Sequence, residues 1–515
     1  MSDGRDGEQD GSAPPPAFEK EKDLKHLLVA GAVNTLALIA GISLTVFYTL
    51  AARIYGSENF GLYAFALAAV EILMVVGGMA TDKGITRFIA FHHVAHERQR
   101  EASALGTGFW MTVICSGLMS ALALLFSEGI AGFFGKPEAS GALKALAPAI
   151  LFGEFLTVMI WATIAAKVMR YKLYIKELGY PVLLMMIALP VGLVSASLHY
   201  LCYGHVIATL LAALWSLWAV NKVFRHLPMK QAVFGAPMHK EMFRYCIPMA
   251  LTDPLAVIVQ RASPLIIGRF VTGAQIGVFA ACDMLSRAIG GVTMAFDPVI
   301  CPVLAESVRM NDTARLRYNL QLTSRWVTIV CIPIIIFFVL FRNELLLLYG
   351  EAFVTGSRTL LIFICGRFFA AILGLSAWVL PMSGRAKTVL INQSTVSVVS
   401  VAACYYLTAR YGIEGAALSW VFSTLLAYGL IVVEIYIFER AHPFSFGMLR
   451  VVLAGGITLA IMWTIAPLFP QIVALRLVLL TAIMLALYGV LFVMLARTPD
   501  DDELLRLLKL KKRPR

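Results

Sequence analysis

The sequence has few charged residues for its length. Only 14% of its 515 residues are Asp, Glu, Lys or Arg, against about 25% in a typical soluble chain. Hydrophobic residues make up 59%, and the mean hydropathy is +0.80. Because such a chain has too little polar surface to cover a water-soluble fold, a soluble protein is excluded and a membrane protein is predicted.

The sequence also lacks paired cysteines and nucleotide-binding loops. Its eight cysteines lie at least 19 positions apart, so no C-x-x-C pair offers a metal or redox centre. No G-x-x-x-x-G-K-[ST] loop is present, which argues against an ATP-driven pump. His92, His93 and His96 lie together in a basic segment that we interpret as an ordinary juxtamembrane loop. We therefore expect no cofactor and no metal.

Long apolar runs fill most of the chain. A membrane helix needs about 20 mostly apolar residues. Fourteen segments meet this requirement: 27–52, 60–82, 104–126, 144–166, 179–199, 201–221, 245–268, 274–297, 326–341, 359–382, 388–408, 414–438, 451–469 and 477–496. The sequence thus predicts an all-α polytopic membrane protein with about fourteen transmembrane helices.

Basic residues are distributed unevenly between the connecting segments. With the N-terminus inside, the inside segments contain 32 Lys and Arg, and the outside connections contain 8. Because basic residues concentrate in cytoplasmic loops, this ratio predicts that both termini are cytoplasmic. The net charge of +12 is spread over short loops, so nucleic-acid binding is not expected.

An internal repeat indicates two similar halves. Residues 53–64 match residues 269–280 at an offset of 216, with Arg, Gly and Ala at corresponding positions. A Tyr-Gly pair at 203–204 recurs at 411–412. Repeats with an even number of spans have the same orientation, so their symmetry axis runs along the membrane normal. We predict two pseudo-symmetric six-helix lobes around a central cavity, plus two C-terminal helices.

These spans define the predicted domains. The connections are short, the longest external one being about 17 residues, so no loop could fold into a catalytic domain and we expect a transporter, not an enzyme. The predicted units are a disordered cytoplasmic tail (1–26), an N-lobe with six spans (27–222), a cytoplasmic linker (223–244), a C-lobe with six spans (245–440), the last two spans (441–497) and a basic cytoplasmic tail (498–515).

Four motifs carry a family resemblance. Residues 50–66 read Leu-Ala-Ala-Arg-Ile-Tyr-Gly-Ser-Glu-Asn-Phe-Gly-Leu-Tyr-Ala-Phe-Ala, and residues 87–90 read Arg-Phe-Ile-Ala. Residues 265–270 read Leu-Ile-Ile-Gly-Arg-Phe, and residues 411–417 read Tyr-Gly-Ile-Glu-Gly-Ala-Ala. In this order, and with fourteen spans, the chain resembles Wzx-type polysaccharide flippases of the multidrug/oligosaccharidyl-lipid/polysaccharide exporter superfamily.

The resemblance implies a function. Such a flippase moves undecaprenyl-pyrophosphate-linked oligosaccharide units from the inner to the outer leaflet of the bacterial inner membrane. These units feed O-antigen, capsule or exopolysaccharide assembly. The implied mechanism is alternating access through a cationic lumen. The implied partners are the lipid-linked oligosaccharide and membrane lipids, with a glycan polymerase and chain-length machinery as further candidates.

Three alternatives stay open. A cation-coupled multidrug antiporter of the same superfamily would favour an acidic or aromatic lumen. A lipid II flippase would be expected to carry an Arg-Asp pair in its first span, where this chain has Asn34 as its notable polar residue. A membrane glycan polymerase or ligase is disfavoured by the short external loops.

Ionisable residues inside the predicted spans are the candidate site residues, because each costs about 3 kcal/mol at the centre of a membrane helix. Arg287, Arg261 and Arg367 are predicted to line the lumen and bind pyrophosphate or glycan. The arginine fork suits phosphate because it binds two oxygens and stays charged. Asp283 and Arg287 are four residues apart and can pair on one helix face, so a purely structural ion pair is the alternative.

Carboxylates inside the spans are the candidates for ion coupling. Asp283, Asp253 and Glu71 could each bind a proton or Na⁺. The membrane potential alone would also favour outward movement of an anion, by about 2.3 kcal/mol per charge per 100 mV. The coupling ion therefore stays open.

Prolines predict a break in the seventh span. Pro248, Pro254 and Pro264 all lie in it. Proline removes a backbone donor and kinks a helix. Broken helices inside transporters commonly line the site.

Overall fold

The computed structural model describes residues 17–95, 97–227, 233–235, 237–250, 252–310, 312–469, 473–499 and 501. Over these residues all regular secondary structure is helical. The α-helices are α1 (Ala17–Gly78), α2 (Thr81–Val94), α3 (Arg98–Met111), α4 (Gly117–Phe133), α5 (Ser140–Leu146), α6 (Pro148–Ala165), α7 (Tyr180–Val194), α8 (Leu198–Val223), α9 (Lys240–Met249), α10 (Thr252–Gly268), α11 (Gly273–Arg309), α12 (Thr313–Leu340), α13 (Arg342–Leu347), α14 (Ser357–Leu373), α15 (Val379–Met382), α16 (Ala386–Glu439), α17 (Phe446–Ile465) and α18 (Val473–Leu491).

Shorter helical segments complete the fold. The 3₁₀ segments are Pro137–Ala139, Glu351–Gly356, Gly374–Trp378 and Ala466–Leu468. The π-helical segments are Thr112–Ser116, Lys172–Gly179 and Phe492–Ala496. Each π-helical segment adjoins an α-helix, and together they form longer rods.

The predicted all-α membrane fold is confirmed, whereas the predicted number of spans is not. Among the described residues, eleven helical stretches are long and apolar enough to cross a membrane. Two long helices, α1 and α16, each join two helical segments across a bend. The helix α10 has only 17 residues, so it falls short of a full span. For these reasons the count differs from fourteen.

Single glycines make the bends where the sequence analysis places loops between spans. Gly56 has φ of +79° and Gly412 has φ of +57°. Glycine adopts positive φ without strain because it has no Cβ. The predicted connection around residues 53–59 is therefore one bent residue in an otherwise continuous helix.

The first helix begins earlier than expected. We predicted a disordered tail over residues 1–26, but α1 begins at Ala17. The segment from Ala17 to residue 26 is rich in Glu and Lys and contains no Gly or Pro. These residues have good helix propensity, so the helix extends beyond the apolar run. Residues 1–16 lie outside the described part of the chain.

The predicted break in the seventh span is present. The span consists of two helices, α9 ending at Met249 and α10 beginning at Thr252. Pro248 lies in the last turn of α9, and Pro254 lies in the first turn of α10, where a missing backbone donor is tolerated. The break thus follows from the position of the prolines.

The two repeated segments pack directly against each other. A Cβ at Gly61 of α1 would overlap the carbonyl oxygen of Gly273, and a Cβ at Gly277 of α11 would overlap the carbonyl oxygen of Ser57. Small residues allow this close approach of two backbones. Gly61 and Gly277 are 216 residues apart, which is the offset of the repeat. We call this contact the glycine crossing.

A hydrogen bond accompanies the glycine crossing. The amide of Ala274, at the start of α11, donates to Oε2 of Glu58 at 3.0 Å. Glu58 and Ala274 are again 216 residues apart. Contacts between equivalent positions of the two repeats are expected where a twofold pseudo-symmetry axis passes between them. The lobe boundaries near residues 222 and 245 stay a prediction.

The segment after the last span, which is the start of the predicted basic cytoplasmic tail (498–515), is anchored to the fold. Asp501 is buried and accepts hydrogen bonds from Arg325 Nη1 at 2.8 Å and Nη2 at 2.7 Å. Arg325 Nη2 also donates to the carbonyl of Ala496 at 2.8 Å. The reason is electrostatic, because Arg325 is buried in α12 and needs an anion. Residues 502–515 lie outside the described part.

We predict that Gly61→Ala destabilises the protein, because the new methyl group would collide with backbone at the glycine crossing. The expected loss is about 1–3 kcal/mol, as for overpacked cores. Thermal unfolding in detergent micelles measures it. Gly129→Ala is the matched control, because no atom lies within 4 Å of its Cβ position. Equal stability of the two variants would contradict the direct backbone contact.

We predict that Asp501→Asn destabilises the protein by about 3–5 kcal/mol, because it leaves buried Arg325 without its anion. Burial opposes ionisation of Asp501, but hydrogen bonds from Arg325 and Thr498 outweigh it and lower the pKa of its carboxyl group. The stabilisation is therefore complete above the unfolded pKa of about 3.9 and is lost as the pH falls through the folded value.

Thermal unfolding between pH 7 and pH 3 tests the Asp501 prediction. The difference from wild type should stay constant down to about pH 4 and shrink below it. Glu138→Gln is the control, because Glu138 is exposed. A variant Asp501→Asn as stable as wild type at pH 7 would show that the anchor contributes nothing.

Candidate functional site

A small cavity lies where α1, α10 and α11 meet. Its enclosed volume is about 20 Å³, which has room for about one water molecule. Its polar lining consists of Glu71 from α1, Arg261 from α10, and Asp283 and Arg287 from α11. Its apolar lining consists of Ala64, Leu67, Ala68, Pro264, Ala280 and Met284.

The glycine crossing determines the depth of these side chains. Glu71 lies ten residues after Gly61, and Arg287 lies ten residues after Gly277. At 1.5 Å per residue, both are about 15 Å along their helices from the crossing. Glu71 and Arg287 are therefore equivalent positions of the repeat, and both line the cavity with opposite charge.

The start of α11 is fixed by its own cap. Thr272 Oγ1 accepts from the amide of Gln275 at 3.3 Å, and Gln275 Oε1 accepts from the amide of Thr272 at 3.2 Å. This reciprocal pair is a capping box, which satisfies two of the free amides at a helix start. The register of α11 is thus set close to the crossing. This register determines where Asp283 and Arg287 lie along the helix.

One ion pair joins the two halves across the cavity. Arg261 Nε lies 2.8 Å from Glu71 Oε2. Glu71 belongs to the first half of the chain and Arg261 to the second. The two residues are far apart in sequence, and the sequence analysis assigned them to different roles. Their pairing is a tertiary contact that no local pattern indicates.

Asp283 holds two arginines. Arg287, one helical turn away, donates to Asp283 Oδ2 from Nε at 3.1 Å and also from Nη2. Arg367 of α14 donates from Nη2 to the other oxygen, Oδ1, at 3.0 Å. Both carboxylate oxygens are therefore engaged. The Asp283–Arg287 pair expected from the spacing of four residues is present.

Arg367 does not line the cavity. It lies behind Asp283, donates from Nε to Ser286 Oγ at 3.2 Å, and stacks over the Trp420 ring at 4.2 Å from its centroid. Such contacts fix the guanidinium in place. Of the three arginines predicted to line the lumen, the structure brings Arg261 and Arg287 to the cavity and leaves Arg367 to support them.

The cluster carries a net positive charge. Three arginines, Arg261, Arg287 and Arg367, face two carboxylates, Glu71 and Asp283. The difference is one positive charge among the described side chains. Asp253 belongs to α10, but its side chain lies outside the described part, so its predicted role in ion coupling stays a prediction.

The structure also reveals a buried histidine that the sequence analysis missed. His205 of α8 is 5% exposed. Its Nδ1 lies 2.8 Å from the hydroxyl of Tyr63, and its Nε2 lies 3.2 Å from the hydroxyl of Tyr180. The available signal was a histidine inside the sixth predicted span. The two tyrosines satisfy both ring nitrogens, which makes this group part of the packing between helices.

Two solved structures share the fold. The lipid II flippase MurJ in an inward closed conformation superposes with a TM-score of 0.69 at 15% identity, over 90% of this chain and 98% of that chain. A multidrug resistance MATE family transporter of the MOP superfamily, in an inward-facing conformation, gives a TM-score of 0.62 at 15% identity, over 78% and 97%. At such identities the similarity shows the fold alone.

Sequence comparison is more specific. A protein of Shigella flexneri described as an O-antigen transporter is 21% identical over 388 residues, which is 73% of this chain and 89% of that protein. Residues 50–357 match the family described as polysaccharide biosynthesis protein. This match includes the glycine crossing, Glu71, Arg261 and the Asp283–Arg287 pair. Since it covers more than half of the chain, the protein belongs to this polysaccharide biosynthesis family.

Proposed function

We propose that this protein is a flippase that carries a lipid-linked oligosaccharide from the inner to the outer leaflet of the bacterial inner membrane. The substrate is an undecaprenyl-pyrophosphate-linked repeat unit, and its charged headgroup crosses at the cationic cluster of Arg261, Arg287 and Arg367. The observation that carries the proposal is the net positive charge of the five-residue cluster, two arginines at the cavity and Arg367 behind it against two carboxylates, in a chain of this family. Both termini are cytoplasmic in this proposal.

In the proposed binding step, the substrate competes with the carboxylates for the arginines. In the structure, Arg261 is paired with Glu71, and Arg287 with Asp283. A pyrophosphate diester offers two negative charges and many acceptor oxygens. It replaces these carboxylates as the partner of the arginines, because arginine binds phosphate oxygens in a bidentate manner.

Arg287 is the best placed phosphate ligand. It lines the cavity, and its side chain is 34% exposed, against 17% for Arg367. Its Nε and Nη2 both bind Asp283, and Nη1, which has no partner among the described side chains, is proposed to face the ligand. Asp283 thus holds the guanidinium in a fixed orientation, and Arg367 in turn holds Asp283.

Release of the Arg261–Glu71 pair is the proposed coupling step. The pair spans the two halves, so the substrate or a proton on Glu71 weakens the contact between them. Glu71, Asp253 and Asp283 are the proposed sites of ion coupling. The membrane potential adds about 2.3 kcal/mol per charge per 100 mV in favour of outward movement of the anion.

Alternating access is part of the proposal. The glycine crossing and the Glu58–Ala274 hydrogen bond hold the two halves together at the end predicted to face outward. A cavity with room for about one water molecule is too small for an oligosaccharide headgroup. The halves must therefore separate at one end to admit the substrate and at the crossing to release it, while the lipid tail remains in the bilayer.

A multidrug antiporter is less consistent with the site. A cationic drug would meet a cluster whose net charge is positive because Arg367 lies behind the cavity, and like charges in a low-dielectric environment repel strongly. An anionic headgroup is attracted by the same cluster. The sign of the cluster's net charge therefore favours the phosphate-linked substrate.

Lipid analysis after depletion of the protein tests the proposed function. We expect undecaprenyl-pyrophosphate oligosaccharide to accumulate in the inner leaflet while surface glycan is lost. Accumulation in the outer leaflet would instead indicate a polymerase or ligase. Unchanged lipids with altered sensitivity to cationic drugs would indicate a multidrug antiporter. A glycan polymerase and its chain-length machinery are proposed partners, and co-purification tests them.

We predict that Arg287→Ala reduces export of surface glycan by about 10- to 100-fold, because a hydrogen bond to a charged group contributes about 1.5–3 kcal/mol. Complementation of the depleted strain measures export, with the amount of membrane-inserted protein determined in parallel. Arg53→Ala is the matched control, since Arg53 is exposed and outside the cavity. Normal export by a normally inserted Arg287→Ala variant would contradict phosphate binding there.

We predict that Asp283→Asn destabilises the protein by about 3–5 kcal/mol, because two arginines lose their shared carboxylate. Combining it with Arg367→Gln removes one positive charge and recovers part of this loss. Thermal unfolding of wild type, both single variants and the double variant gives the coupling energy. Additive effects would contradict a shared ion-pair network. Glu128→Gln, at an exposed pair with Lys144, is the control and should unfold like wild type.

A further inference from the structure

A second cluster of ionisable side chains lies outside the proposed substrate path. Four histidines and two glutamates meet where α2 ends, α3 begins, α8 ends and α9 begins. The cluster consists of His92, His93, Glu97, Glu101, His226 and His239. This end of the fold is predicted to be cytoplasmic. None of these residues has a role in the proposed translocation.

Three of these residues converge on one point. His93 Nδ1 lies 2.6 Å from Glu101 Oε1, and His226 Nε2 lies 2.9 Å from Glu101 Oε2. The three ligand atoms all lie within 4.8 Å of one another. They come from three separate parts of the chain: the last turn of α2, the first turn of α3 and the turn that follows α8.

Glu101 is a buried carboxylate whose partners among the described residues are two imidazoles. Its side chain is 2% exposed, and a buried carboxylate requires a compensating charge or several donors. No Lys or Arg among the described residues forms an ion pair with it. Its two imidazole partners are 37% and 32% exposed, so a small ion can reach the point between them from solvent.

We propose that His93, Glu101 and His226 form a binding site for a divalent transition-metal ion, Zn²⁺ in the first instance. Two imidazoles and one carboxylate are a known ligand set for zinc, with a water molecule as the fourth ligand. Mg²⁺ and Ca²⁺ prefer oxygen ligands, so this set selects against them. The site departs from our expectation that the chain binds no metal.

The geometry is close to what zinc requires. Bonds of about 2.0–2.1 Å in a tetrahedral site separate neighbouring ligand atoms by about 3.3 Å. The two pairs at 2.6 and 2.9 Å, one to each oxygen of Glu101, therefore open by less than 1 Å, and the two histidine nitrogens, which lie within 4.8 Å of each other, move to the same spacing. When zinc binds, it takes the place of the hydrogen on each ligating nitrogen. The proton of each ring then lies on the other nitrogen, which is Nε2 in His93 and Nδ1 in His226.

The neighbouring pair His92 and His239 connects the helix ends around this site. His92 Nδ1 lies 2.8 Å from Glu97 Oε2, and His92 Nε2 lies 2.9 Å from His239 Nε2. The amide of His239 donates to Thr107 Oγ1 at 2.7 Å. His226 and His239 lie towards either end of the predicted linker 223–244. Bound zinc would therefore brace α2 and α3 against the segment that connects the two halves of the chain.

The histidine run that the sequence analysis interprets as an ordinary juxtamembrane loop contributes one residue to the proposed site. The run His92, His93 and His96 suggests a local metal site, yet the side chain of His92 faces Glu97 and His239. His96 lies outside the described part of the chain. Only His93 joins the proposed site, together with two residues that are distant in sequence.

Zinc binding to the purified full-length protein tests the proposal. The chain is purified without a polyhistidine tag, treated with a chelator, and titrated with Zn²⁺ or Mg²⁺ by calorimetry. We expect one Zn²⁺ per chain and no Mg²⁺ binding. Glu101→Gln and His226→Gln should each weaken zinc binding by more than about 100-fold, since loss of second-shell partners alone costs 10- to 100-fold. His199→Gln, at the other end of α8, should bind zinc like wild type.

X-ray absorption at the zinc edge identifies the ligands independently of any variant. We expect only nitrogen and oxygen ligands at about 2.0–2.2 Å, whereas a cysteine ligand would appear at about 2.3 Å. A sulfur shell, no stoichiometric binding, or unchanged zinc affinity in Glu101→Gln would each overturn the proposal. If Glu101→Gln cannot be purified, His93→Gln replaces it, because His93 is partly exposed. Zinc binding is measured without transport, so this result is independent of the flippase assignment.

Discussion

An ionised side chain inside a bilayer needs an opposite charge nearby, because water is not available to solvate it. The central cluster satisfies this constraint with five residues. Asp283 neutralises Arg287 and holds Arg367, while Glu71 pairs with Arg261. Removing either carboxylate leaves its arginine partners without an opposite charge. The packing of α1, α10, α11 and α14 around the cavity is therefore tied to these charges, and a substrate that binds there must act on the same network.

The glycine crossing makes this arrangement of charges possible. Two helices whose backbones touch at Gly61 and Gly277 have side chains at matched depth on both sides of the contact. Ten residues further on, Glu71 and Arg287 reach the same cavity. A larger residue at the crossing would push the helices apart and change the distances between charges throughout the cluster. The Gly-rich repeat that is visible in the sequence thus determines the positions of residues about 15 Å away along the helices.

Periodicity and spacing predict the parts of the structure that depend on local sequence. The long apolar runs indicate an all-α membrane fold, the prolines indicate the broken seventh span, and the spacing of four indicates the Asp283–Arg287 pair. Contacts between distant segments leave no such pattern. The Arg261–Glu71 pair, the support of Asp283 by Arg367, the burial of Asp501 by Arg325 and the convergence of His93 with His226 all depend on how helices pack. Glycine bends were also missed, because one residue with positive φ turns the chain where a polar interruption between two apolar runs predicts a loop.

The repeat is symmetric in backbone but not in charge, and this asymmetry has a physical reason. Two identical halves would place like charges at equivalent positions facing one cavity, and their repulsion in a low-dielectric environment would hold the halves apart. Glu71 and Arg287 occupy equivalent positions with opposite charge, so the halves can close on each other. Arg261 and Arg367 then add positive charge and Asp283 adds negative charge, which leaves one unmatched cation. Closure without substrate and attraction of an anionic headgroup are thus compatible, because the same arginines exchange carboxylate partners for phosphate oxygens.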